Sequence, residues 1–171
     1  MRLKNYIADC AALLEQAISI ITLIDDDIYT ALTPISPRGS VGGHLRHIVN
    51  FYQSFLAGCE QGRIDYNQRT RDREFEQDRL YAMNCIQNVV VQLEGLSQLE
   101  LHDHLLVSVE DYAVWSRSSV LRELDFLRSH TVHHYSLIAM LLRLHEIDPG
   151  AEFGVAPSTL RHWEEETLCA Q

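Results

Sequence analysis

The sequence predicts an all-α fold: a four-helix bundle with long crossover connections and a short C-terminal helix. Three observations predict it. Apolar residues recur every three or four positions along four long segments, which is helical spacing. The 8 glycines and 4 prolines are few for 171 residues. The 171 residues suit one domain, here residues 1–171, and are enough to bury a core without disulfides.

The first helix is expected from Leu3 to about Leu32, where Ile7, Leu14, Ile18, Ile21 and Ile28 fall three, four or seven apart. "TPISPRGSVGG" carries two prolines and three glycines and reads as a loop. Ser40 is placed to cap a second helix running to about Gln61, with Ile48, Phe51, Tyr52 and Phe55 on its apolar face. "GRIDYNQRTRDREFE" is dense in charge and poor in apolar periodicity, so a long connection is expected there. A third helix follows from about Phe75 to Leu96. "LHDHLLVSVEDYAVWSRSS" has β-branched residues and some alternation, and reads as an extended connection with one short strand. Ser118 or Ser119 then caps a fourth helix, Val120 to about His145, which "DPG" is expected to end. "VAPSTLRHWEEE" reads as a short final helix from near Pro157.

Composition narrows the function classes. The hydrophobic fraction of 46% and the charged fraction of 22% are those of an ordinary globule. A net charge of −10 lacks the basic footprint of a phosphate-backbone binder, so nucleic acid is not an expected partner. Cys10, Cys59, Cys85 and Cys169 form no CxxC pair and read as reduced thiols of a cytoplasmic protein. Lys4, Asp9 and Glu15 interrupt the apolar N-terminal stretch, which argues against a signal peptide. The longest uninterrupted apolar run is far short of the roughly 20 residues that span a bilayer, so no membrane partner is expected.

The chemistry concentrates in "SHTVHHYSLIAMLLRLH", residues 129–145. His130 and His134 are one helical turn apart, about 40° around the axis. Leu127, Ile138 and Leu141 share their stripe, so both imidazoles point where the core should be. His133 lies nearer the edge. An i,i+4 histidine pair presents two imidazoles to one metal ion. "GGHLRHIVNF" supplies a third: His44 and His47 are three apart and lean toward one side of the second helix. If that helix touches the fourth, the result is a tri-histidine site with open positions, suited to zinc, nickel, iron or copper. Against this stands the plainer reading, in which the histidines are packed, hydrogen-bonded core residues. There is no Glu-x-x-His pair for a di-iron carboxylate site and no HExxH for a zincin protease.

"SVGGHLRHIVNF", "SHTVHHYSLIAMLL" and the four-helix pattern together resemble the DinB-like superfamily of damage-inducible proteins, over nearly the whole chain. "DYNQRTRD" and "FGVAPSTLRHWE" are similar to one uncharacterised bacterial branch of it. The resemblance implies a bundle with a long crossover and a tri-histidine site for a divalent metal. On that basis the ligands are His47, His130 and His134. His44, which a helical wheel puts closer to the centre of the apolar face, and His133 stay as alternates or outer partners. Several relatives are thiol-dependent S-transferases or isomerases, which implies a low-molecular-weight thiol as a second cofactor. Relatives that are sulfoxide synthases carry a Glu two places after the second helix-four histidine. Here that position is Ser136, so that chemistry is not expected.

Tyr66, Arg69 and Arg117 are the candidate catalytic or substrate-gripping residues, because an arginine can hold a carboxylate or phosphate in bidentate fashion. The bland alternative is a solvated charge run. Three functions remain open on the sequence: a metal-dependent thiol transferase or hydrolase acting on a small electrophile, a non-catalytic metal-binding or stress-response bundle, and a bundle with structural histidines. The expected partners are a small-molecule substrate and a second copy of the chain in a homodimer.

Overall fold

The computed structural model describes residues 2–68, 70–96, 104–108 and 114–169. Four long helices, α1 (Arg2–Leu23), α3 (Val41–Cys59), α5 (Arg79–Gly95) and α6 (Val120–Leu144), form the bundle. Two short helices, α2 (Asp26–Thr30) and α4 (Arg73–Gln77), sit in the connections, and α7 (Pro157–Cys169) ends the fold. Going round the bundle, α1 packs on α5, α5 on α3, α3 on α6, and α6 back on α1. The core between them is aliphatic and aromatic, with Leu14, Ile21, Tyr52, Phe55, Ile86, Leu93, Leu127 and Ile138 all buried. By length and composition Leu3–Leu23 could cross a bilayer. In this fold, however, it buries Cys10, Leu13, Leu14, Ala17, Ile20 and Ile21.

Two expected helices are each broken in two. Aspartate caps account for both breaks. Asp25 accepts from the Ile28 N–H at 2.9 Å and starts α2, so the first helix stops at Leu23 rather than near Leu32. Asp78 accepts from the N–H groups of Leu80 and Tyr81 and starts α5, leaving Phe75 in the separate α4, itself capped by Asp72. An aspartate oxygen satisfies the orphan amides of a new first turn, so the chain can restart a helix at a new angle at little cost. Ser40 and Ser119 cap α3 and α6, accepting from Gly43 N and Arg122 N.

The end of α6 also differs in mechanism. Before Pro149 is reached, Glu146 takes a left-handed conformation (φ 59°). The Ile147 N–H then donates to Leu142 O at 3.0 Å and the Glu146 N–H to Arg143 O at 3.1 Å. That is a Schellman-type stop made without glycine.

The connections also build a small sheet where one strand was expected. β1 (Arg63–Asp65) pairs in parallel with β2 (Leu105–Ser108), and β2 pairs antiparallel with β3 (Ser116–Ser118). Ile64 lies opposite Val107, and both are buried. β1 rests on the end of α3, where Gly58 permits the close approach: a Cβ there would come within 2.2 Å of the Arg63 carbonyl oxygen. Gly58→Ala should therefore destabilise the protein by about 1–3 kcal/mol through overpacking against backbone. Equilibrium urea unfolding of the variant checks this, and an unchanged midpoint would show that β1 can move away freely.

Candidate metal centre

α3 and α6 run antiparallel where they meet. The ring contacts show it, since His44 meets His134, His47 meets both His130 and His134, and Phe51 meets His130 and Phe126. Positions rise along one helix as they fall along the other. This register brings His47, His130 and His134 to one point, with one ligand nitrogen from each lying within 4.8 Å of the other two. All three rings are half-buried.

His44 lies one turn outward. Its Nδ1 is 3.0 Å from His134 Nδ1, and Gly39 leaves room for its ring, since a Cβ there would come within 3.0 Å of His44 Nε2. Either ring can donate in this bond. The tautomer that suits a metal ligand has the proton on His134 Nδ1 and the lone pair on Nε2, and His44 then accepts. His133 is exposed and meets His134 edge-on, with ring centroids 5.2 Å apart.

Aromatic side chains wall the cluster. Phe51 is 4.5 Å from the His130 ring and Phe126 stacks on it at 5.6 Å and 26°. Tyr66 stacks on Phe51 and is 1% exposed. Its hydroxyl donates to Glu123 Oε2 at 2.9 Å. Arg117 stands on β3, at a cavity it shares with Phe126. Arg69 lies outside the described residues.

Burial, followed by the positive charge of His130, His47, His44 and His133, pushes the His134 pKa down to about 3. Burial, then His133, also lowers His44. His44 and His134 therefore resist protonation and keep the neutral form, the one that donates a lone pair to zinc, nickel or iron. Three imidazoles with no carboxylate among them fit one divalent ion and leave coordination positions for a further ligand.

A helical bundle that brings three imidazoles together from two facing helices has a donor set that could hold a metal ion. Residues 4–149 match the model of the DinB family, and the chain belongs to that family. It is also similar to FK506-binding protein 5 of Rhizopus delemar (strain RA 99-880), with 30% identity over 104 residues. That alignment covers 58% of this chain and 27% of the fungal protein, so the chain spans about a quarter of that relative's length. No solved structure matches the chain.

Sequence reasoning passed over Glu123. It is a buried carboxylate seven residues before His130 on the same helix, and that spacing, two helical turns, was the available signal.

Two outcomes follow from the cluster. His134 titrates at about 3 in the folded protein and near 6.5 in an unfolded chain. Between those values the unfolded state binds the extra proton. Stability of the metal-free protein should therefore fall as pH drops from about 6.5 toward 3, by up to about 1.4 kcal/mol per pH unit from this group, with no contribution above that window. Denaturant unfolding across the series should show a shallower slope in His134→Leu. Second, His44→Ala should weaken metal affinity by about 10–100-fold without changing the number of ions bound, because it removes the partner that holds the His134 ring. Competition with a chromophoric chelator reads this directly.

Proposed function

We propose that the protein is a metal-dependent enzyme in which His47, His130 and His134 hold one divalent ion, zinc, nickel or iron, and which joins a low-molecular-weight thiol, or water, to a small electrophile. The observation that carries the reading is the convergence of three imidazole nitrogens within 4.8 Å, drawn from two helices that must pack together for the bundle to close. A structural role for the histidines would need no such convergence on one point.

When bound, a divalent ion lowers the pKa of a coordinated thiol or water, so that a nucleophile exists at neutral pH. The chain's own residues do the rest. His44 orients His134. Phe51 and Phe126 keep bulk water from one side of His130, which strengthens electrostatic interactions within the site. Arg117, which lines the adjoining cavity, would grip an anionic group of a substrate.

Protein purified without a histidine tag should carry about one equivalent of a divalent metal by elemental analysis. His134→Ala should lose the metal and the rate of thiol conjugation together. Arg117→Ala should keep the metal and raise KM or lower kcat, because it touches substrate positioning alone. A conjugation rate that survives His134→Ala would place the chemistry elsewhere. Metal-loaded protein that accelerates neither thiol addition nor hydrolysis across a panel of electrophiles would leave a metal-binding bundle without catalysis.

A further inference from the structure

A cavity of about 550 Å³ opens beside β3 and the first turns of α6, a volume within the roughly 300–1,000 Å³ typical of small-molecule sites. Glu123 is the unusual part of its wall. The side chain is only 4% exposed. It accepts from the Tyr66 hydroxyl at 2.9 Å and from the Ser118 hydroxyl, both neutral donors. Among the described ion pairs its partner is Arg122, whose Nη1 is 3.8 Å away on a side chain that is itself 64% exposed. The N-terminal turn of α6 adds a partial positive charge. A buried carboxylate held by neutral hydroxyls and a distant, hydrated cation lacks full charge compensation. An ammonium group entering the cavity would supply it.

The opposite end of the charge scale is present at the same cavity. Arg117 and Arg122 both line it, the Arg122 guanidinium 5.4 Å from the Phe126 ring. Val107, Val114 and Phe126 supply apolar wall between the charged groups. A simple anion would satisfy the arginines but bring like charge toward Glu123. A simple cation would satisfy Glu123 but compete with Arg122 for it and bring like charge toward both arginines.

We propose that this cavity binds a small zwitterion of the amino-acid or short-peptide type. Its ammonium group meets Glu123, its carboxylate meets Arg117 and Arg122, and its apolar side chain lies on Val107, Val114 and Phe126. Phe126 stacks on His130, so the bound molecule is separated from the histidine cluster by the thickness of one ring. That it is a substrate rests on the metal-dependent reading above; that it binds does not.

Calorimetric titration of the full chain, stripped of metal, with the dipeptide alanyl-phenylalanine tests this. The free dipeptide should bind, and its N-acetylated and C-amidated forms should each bind at least tenfold more weakly. Glu123→Gln keeps an acceptor for Tyr66 and Ser118 but removes the charge. It should weaken the free dipeptide at least tenfold and leave the N-acetylated form unaffected. Arg122→Gln, at an exposed side chain, should weaken the free dipeptide and leave the amide bound at least as tightly, and it decides the matter if Glu123→Gln fails to fold. Equal binding of all three dipeptides, or binding of none in the millimolar range, would overturn the proposal. His134→Ala should still bind the dipeptide, and Glu123→Gln should still load metal. Failure of the metal reading and failure of this one are therefore separately visible.

Discussion

The bundle closes only if α3 lies on α6, and at one level of that contact the facing side chains are imidazoles rather than hydrocarbon. Above and below, the seam is ordinary core: Ile48, Tyr52 and Phe55 from one helix, Leu127, Thr131 and Ile138 from the other, with the Tyr52 and Thr131 hydroxyls 3.2 Å apart. At the histidine level, burial and mutual proximity penalise any added proton, which is why His134 stays neutral far below the usual histidine range. Apolar residues of similar volume would pack there without that penalty. A chain that keeps three titratable rings at a packed interface gives up acid stability for a cluster of lone pairs. The packing that stabilises the fold is thus the same packing that assembles the donors.

The connections complete the arrangement. A bundle of four helices leaves one end of each seam open to solvent. Here the three-stranded sheet lies against α3, with β1 pressed onto Gly58 and Tyr66 tucked behind Phe51. Arg63 lies 3.8 Å above the Trp115 ring and ties the first crossover to the second. The second crossover joins α5 to α6, which are not neighbours in the ring of packed helices. The crossovers also bring Tyr66, Ser118 and Glu123 into one hydrogen-bonded group from three separate elements.

The helices were legible because their signal is local. The periodicity of Ile7, Leu14, Ile18 and Ile21, the Ser40 and Ser119 caps, and the HxxxH stripe on α6 need no knowledge of neighbours. The breaks at Asp25 and Asp78 were less legible, since aspartate inside an amphipathic stretch reads equally as a solvent-facing position or as a cap. The sheet was harder still. β1 spans three residues, too short for alternation to register, and it pairs with a strand some forty residues away. The left-handed Glu146 carries no compositional mark, because the expected residue there is glycine.

The choice between His44 and His47 shows where a single-helix argument stops. A wheel ranks the two by distance from the centre of one apolar face, and by that measure His44 lies closer. What decides which ring meets His130 is the register of the partner helix. With α3 and α6 antiparallel, the His47 ring faces both His130 and His134, with centroids 5.0 and 4.7 Å away, while His44 is carried past the pair and meets His134. One turn on α3 therefore separates a residue that can share an ion with both α6 histidines from one that can only hold His134 in place. The two roles need different chemistry. The inner ring would have to direct a lone pair toward the shared point, whereas the outer ring accepts or donates a hydrogen bond at Nδ1. Histidine satisfies both, so residue type alone could not tell them apart, and only the packing of one helix on another does.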